Sequence, residues 1–149
     1  RCYSEKHQQS RPNYAECYVC DEWLIFSNFK AWMKKQDWQD KELDKDILNQ
    51  GNNIYSPIDC LFVSQAVNSL ILDSAASRGI YPQGVCLFKR DGSFQAELRV
   101  NGKKKYLGRF STPEIASKAY KSAKYKLLAD IAELHSEPLR TALLNYTIK

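Results

Sequence analysis

Two dipeptides, Asp91-Gly92 and Asn101-Gly102, constrain this chain more than any other feature. Each stands between two strand-like runs. Asp-Gly and Asn-Gly accept the positive φ angles of a tight hairpin turn, so each predicts a reversal between antiparallel strands. The runs are 84–88, 93–100 and 104–110. The middle run alternates, with Phe94, Ala96, Leu98 and Val100 on one face and Gln95, Glu97 and Arg99 on the other. Thr112 then offers a helix cap, Pro113 a first helical position and Glu114 a first-turn acid. Ile115, Ala116, Ala119, Tyr120, Ala123, Leu127 and Leu128 form an apolar stripe, which leaves Lys118, Lys121, Lys124 and Lys126 for the outer side. The expectation is a three-stranded antiparallel sheet with one helix on its Phe94/Leu98 face.

This segment is strongly basic. From Arg78 to Lys126, twelve Lys/Arg face three Asp/Glu, a balance of +9 in a chain of net charge +5. Residues 1–77 hold eight basic and eleven acidic residues, and residues 127–149 two and three. A basic sheet backed by a helix is most simply a polyanion-binding surface. An antiparallel ribbon can enter the DNA major groove and present side chains to base edges. The expected out-facing set is Phe88, Arg90, Gln95, Glu97, Arg99, Lys104 and Tyr106. Arg pairs bidentately with guanine, Gln with adenine, and Glu accepts from cytosine. Base contacts are therefore expected from Arg90, Gln95, Glu97, Arg99, Lys104 and Tyr106. Phosphate contacts, which add affinity without sequence information, are expected from Arg78, Lys89, Lys103, Lys105 and Arg109. The alternative is a solvated basic hairpin with no ligand. RNA or a single strand fits less well, because the sheet lacks paired exposed aromatics for stacking. Asn68, Arg78 and Gln83 either add phosphate or minor-groove contacts or belong to a plain linker.

The first half is less regular. Residues 1–16 read as a helix end and a loop broken by Pro12. Ser27 is a candidate cap for a helix carrying Phe29, Trp32 and Met33. A polar connection over 36–42, a short acidic segment over 43–48 and a turn at 51–53 follow. Residues 60–63 suggest a strand, and 64–72 a short helix with Ala66, Val67, Leu70 and Ile71 inward. The expected organisation is a helical lobe (1–72), a linker (73–80), the sheet and helix (81–134) and a C-terminal helix (135–149). Trp23, Phe26, Phe29, Trp32 and Trp38 are either a partner surface or core, and their helical spacing favours core. No apolar run approaches the roughly 18 residues of a membrane span, so no membrane partner is expected.

Five cysteines make an odd count, which argues against a complete disulfide framework and fits a reducing compartment. Cys17-x-x-Cys20, with Cys2 and Cys60, could supply a four-thiolate zinc site; the other reading is buried free thiols. Cys86 reads as packing.

Gly84-Val85, the run Phe94-Gln95-Ala96-Glu97-Leu98-Arg99, Tyr106-Leu107-Gly108-Arg109-Phe110-Ser111-Thr112-Pro113-Glu114-Ile115-Ala116 and Ala119-Tyr120 resemble the AP2 DNA-binding domain. The resemblance implies a three-stranded sheet lying in the major groove, with Glu97, Arg99, Lys104 and Tyr106 at DNA-facing positions. Strand one departs from the pattern, with Cys86 and Phe88 where plant members place arginines. Arg1-Cys2-Tyr3-Ser4, Val19-Cys20-Asp21-Glu22-Trp23, Phe26-Ser27-Asn28-Phe29, Leu43-Asp44-Lys45-Asp46 and Tyr55-Ser56-Pro57-Ile58-Asp59-Cys60 resemble phage HNH homing-endonuclease-like proteins that carry an AP2-type domain downstream.

An HNH site needs a His as general base and further residues to hold a metal. The chain has only His7 and His135, and neither stands beside Asp44, Asp46, Asn49, Asn52 and Asn53, where such a site would be sought. No catalytic residue is assigned. The expectation is an α+β protein: a small HNH-like-derived helical lobe, then an AP2-like sheet on one helix. It would bind double-stranded DNA and repress transcription by occupying a promoter, as a phage- or satellite-encoded protein of the bacterial cytoplasm, alone or as a homodimer. The alternative is the DNA-recognition portion of an active homing endonuclease whose nuclease domain precedes Arg1.

Overall fold

Of the 149 residues, the computed structural model describes 2–72 and 79–148, in two units, residues 1–68 and 69–149. The expected linker falls mostly on 73–78, outside the described residues.

Short elements make up the first unit. Helix α1 (Glu5–Ser10) is capped by the Ser4 hydroxyl, which accepts from the His7 N–H at 3.4 Å. A 3-10 turn (Pro12–Tyr14) leads to strand β1 (Tyr18–Val19), helix α2 (Asp21–Leu24) and helix α3 (Phe26–Met33). Strands β2 (Lys41–Asp44), β3 (Ile54–Tyr55) and β4 (Leu61–Ser64) follow, then helix α4 (Gln65–Ile71). β1 pairs with β3 in parallel, and β2 pairs with β4 antiparallel, Leu43 opposite Phe62. Aromatic rings fill the middle. Trp23 is buried, with ring centroids 5.0 Å from Phe29 and 4.6 Å from Trp32, and Trp32 stacks on Phe62 at 5.7 Å. Trp23 is thus core, with Phe29 and Trp32 half-buried against it, whereas Phe26 and Trp38 are exposed.

Two expectations for this unit need correction. Ser27 does not cap a helix: it lies inside α3, whose N-cap is Ile25 with no side-chain bond. The polar connection ends early, because Lys41 and Glu42 already pair across to Ser64 and Val63. Cross-strand pairing overrides weak local propensity there.

In the second unit, β5 (Val85–Phe88), β6 (Ser93–Val100) and β7 (Lys103–Phe110) form an antiparallel sheet in that order. Asn101 (φ 49°) and Gly102 (φ 76°) both take positive φ, as a two-residue turn between twisted strands requires. Helix α5 (Pro113–Ala132) follows, its first turn closed by the Thr112 hydroxyl accepting from the Ile115 N–H. Its buried row is Ala116, Tyr120, Lys124, Leu128 and Ala132, spaced by four, and the sheet contributes Ala96 and Leu98 to the same core. Tyr120 rests directly on Gly84: a Cβ at that glycine would stand 2.1 Å from the ring, and Gly84 has φ 74°. Helix α6 (Leu139–Leu144) packs on α5 and buries Leu143.

Lys124 overturns its expected outer position: it is only 2% exposed. The stem follows the buried row, and the ammonium donates to Gln83 Oε1 at 3.3 Å while lying near the Tyr120 and Tyr146 rings. A long aliphatic stem with one polar tip allows this.

Candidate nucleic-acid interface

β6 sets the two faces of the sheet. Ala96 and Leu98 are buried beneath α5, so Gln95, Glu97 and Arg99 point outward. On β5, Cys86 lies opposite Gln95 and Phe88 opposite Ser93, which places both on the outward face. On β7 the alternation is interrupted. Gly108 pairs with Ala96 while Tyr106 pairs with Glu97, so Leu107 has no partner across the ladder. This is a β-bulge, and Gly108 at φ 132° supplies the backbone freedom beside it. As a result Lys104 (opposite Arg99), Tyr106 (opposite Glu97) and Arg109 (opposite Gln95) share the outward face.

The face therefore gathers Gln95, Glu97, Arg99, Lys104 and Tyr106 from the expected base-contact set. Arg90, also in that set, lies in the β5–β6 turn, its guanidinium 5.7 Å from the Phe88 ring centroid. The sequence groups Arg109 with the phosphate contacts; the bulge places it with the outward residues instead. The cue was Gly108, an isolated glycine inside a strand pattern, which is the signature of a bulge. Lys103 and Lys105 pair opposite Val100 and Leu98, on the other alternation set, and are exposed at the hairpin end. Lys89 is an exposed turn residue, and Arg78 lies outside the described residues. Gln83 is occupied internally, donating to the Leu72 carbonyl at 3.2 Å and accepting from Lys124. Asn68 donates to the Glu42 carboxylate.

Polar contacts organise the face. Glu97 accepts from Gln95 Nε2 at 2.5 Å through one oxygen and pairs with Lys104 Nζ at 2.8 Å through the other. Arg109 stacks over the Phe88 ring, Cζ 3.6 Å from the centroid, and its Nη1 reaches Asp91 Oδ2 at 3.2 Å. Asp91 Oδ1 accepts from the Ser93 N–H at 3.0 Å and from its hydroxyl at 2.5 Å. The Ser93 hydroxyl, its N–H and the Arg109 charge hold the Asp91 carboxyl below the usual carboxylate range.

The acidic segment of the first unit is committed to its own loop. Asp44 accepts from the Asp46 and Ile47 N–H groups at 2.8 and 2.7 Å, and burial pushes its carboxyl up. Lys45 pairs with Asp46 at 2.8 Å, Asn52 donates to the Lys45 and Ile54 carbonyls, and Asn49 donates to Asp59 at 2.9 Å. Among the described residues no three His, Cys, Asp or Glu converge as a metal-ligand set, so Cys2, Cys17, Cys20 and Cys60 are not gathered as zinc would require. Cys2, Cys17 and Cys60 are buried. Burial pushes the Cys17 thiol up and the Cys60 thiol up to about 12. Also among the described residues, no helix is long and apolar enough to cross a membrane.

No protein-family model, curated protein or solved structure matches this chain.

Proposed function

We propose that this chain binds double-stranded DNA sequence-specifically through the outward face of the β5–β7 sheet and represses transcription by covering a promoter. The observation that carries this reading is the gathering of Gln95, Arg99, Lys104, Tyr106 and Arg109 on one open sheet face, with α5 packed on the other. Adjacent strands lie about 4.8 Å apart, so two strands with their side chains suit a major groove about 12 Å wide. The +9 balance of residues 78–126 supplies the long-range attraction to phosphate. The AP2-type fold belongs to the same proposal. Two of its sequence marks have a physical reason here: Gly84 makes room for Tyr120, and Gly108 flanks the bulge. An HNH-like origin for the first unit rests on the resemblance of its motifs alone. With its acidic residues tied into a loop, binding itself is the activity this chain offers, and a protein seated on a promoter blocks polymerase by occupancy.

A gel-shift series on phage-genome fragments, with magnesium present and a deproteinised lane beside each sample, tests the reading. Retarded, intact fragments with one preferred support it. Cut fragments favour the endonuclease alternative. No retardation at low salt rejects both.

A further inference from the structure

On the DNA-binding reading above, we infer that Arg109 is a base-reading residue that selects guanine, its guanidinium presented by Phe88 and Asp91. Three observations bring this together. The Leu107 bulge turns Arg109 onto the outward face, opposite Gln95 and in line with Tyr106 and Lys104. The Phe88 ring supports the flat side of the guanidinium at 3.6 Å. Asp91, itself fixed by two hydrogen bonds from Ser93, engages Nη1 at 3.2 Å from the β5–β6 turn. An arginine held on its face and on one nitrogen has lost most of its rotamer freedom before DNA arrives, so less entropy is lost on binding. It also keeps further N–H donors for the O6 and N7 acceptors of a guanine, the bidentate pairing that only a planar fork can make. A phosphate contact needs none of this, since any mobile cation at the rim serves. Phe88 stands where the resembled pattern carries an arginine, so strand one contributes a platform for Arg109 rather than a reading residue of its own. Phe88 and Asp91 are positioning residues.

The test is selection of randomised double-stranded DNA on the full chain, with sequencing of the bound pool and a salt titration, repeated for Arg109→Ala, Arg109→Lys, Phe88→Leu and Asp91→Asn. The wild type should show a guanine at one site position. Arg109→Ala and Arg109→Lys should both lower the preference there by about 5- to 150-fold and leave the other positions unchanged. Phe88→Leu and Asp91→Asn should weaken preference at that same position with the salt slope unaltered. Thermal melts identify any variant that has lost its fold, and Arg109→Lys, which keeps the charge, then decides. The inference is overturned if Arg109→Ala weakens all sequences alike and flattens the salt slope by about one unit, the mark of a phosphate contact. A preferred site unchanged in every variant overturns it while leaving the DNA-binding reading intact. A wild type that retains no double-stranded DNA overturns both.

Discussion

Arg99 and Gly84 show how differently single residues act in this chain. Arg99 is exposed, lies on the outward face opposite Lys104 and contributes nothing to the core. Arg99→Ala should leave the melting temperature unchanged, lower DNA affinity by about 1–3 kcal/mol and relax specificity at one base pair, as read by gel-shift against single-base variants of the preferred site. Gly84 meets the outward set only through its backbone, its carbonyl accepting from the Glu97 N–H at 2.8 Å, yet its positive φ and its approach to Tyr120 leave no room for a methyl group. Gly84→Ala should cost at least about 2 kcal/mol in a denaturant titration, from the left-handed backbone and the displaced ring together. Gly92 and Gly102 were legible as turn residues because a hairpin announces itself locally. The roles of Gly84 and Lys124 were not, because a close approach to a helix about 40 residues later in the chain leaves no mark in a propensity pattern.

At the scale of elements, local signals served well where neighbours in sequence are neighbours in space. Both hairpins, the Thr112 cap and the alternation of β6 follow from short-range chemistry, and β6 spans the expected residues, Ser93–Val100. β7 is the exception. Strict alternation would put Arg109 with Lys103 and Lys105; the unpaired Leu107 puts it with Tyr106 and Lys104. Gly108→Val tests the importance of that interruption. A side chain at φ 132° is strained, and its Cβ would meet the Phe110 ring at 3.2 Å. Loss of stability together with loss of site preference is the expected outcome, measured by thermal melt and by competition gel-shift. Lys103→Ala, at the hairpin end and on the other alternation set, should weaken all sequences alike and flatten the salt slope by about one unit. In the first unit, β1 and β3 are each two residues long and paired in parallel across a long separation. Pairing that short has no periodicity to read, so of this unit's strands only the one over 60–63 is legible in the sequence.

For the whole molecule, charge and thiols give two readouts. If the basic face engages six or more phosphates, binding should weaken by about a thousandfold between 50 and 200 mM salt, checked by titration on one fragment. Thiol labelling of the native chain near pH 8 should modify exposed Cys86 first. Cys17 and Cys60 should stay unreactive, because burial raises their pKa and leaves little thiolate at that pH; unfolding should release all five cysteines. The Leu107 bulge, finally, bears on how such a chain could diversify. Between Tyr106 and Gly108 one residue sets the phase of the strand. A one-codon deletion of Leu107 would close the bulge into a regular ladder and leave Tyr106 opposite Glu97 and Lys104 opposite Arg99, because the register on either side of it is already continuous. A lineage could thus gain or lose that one residue without changing which side chains the face presents.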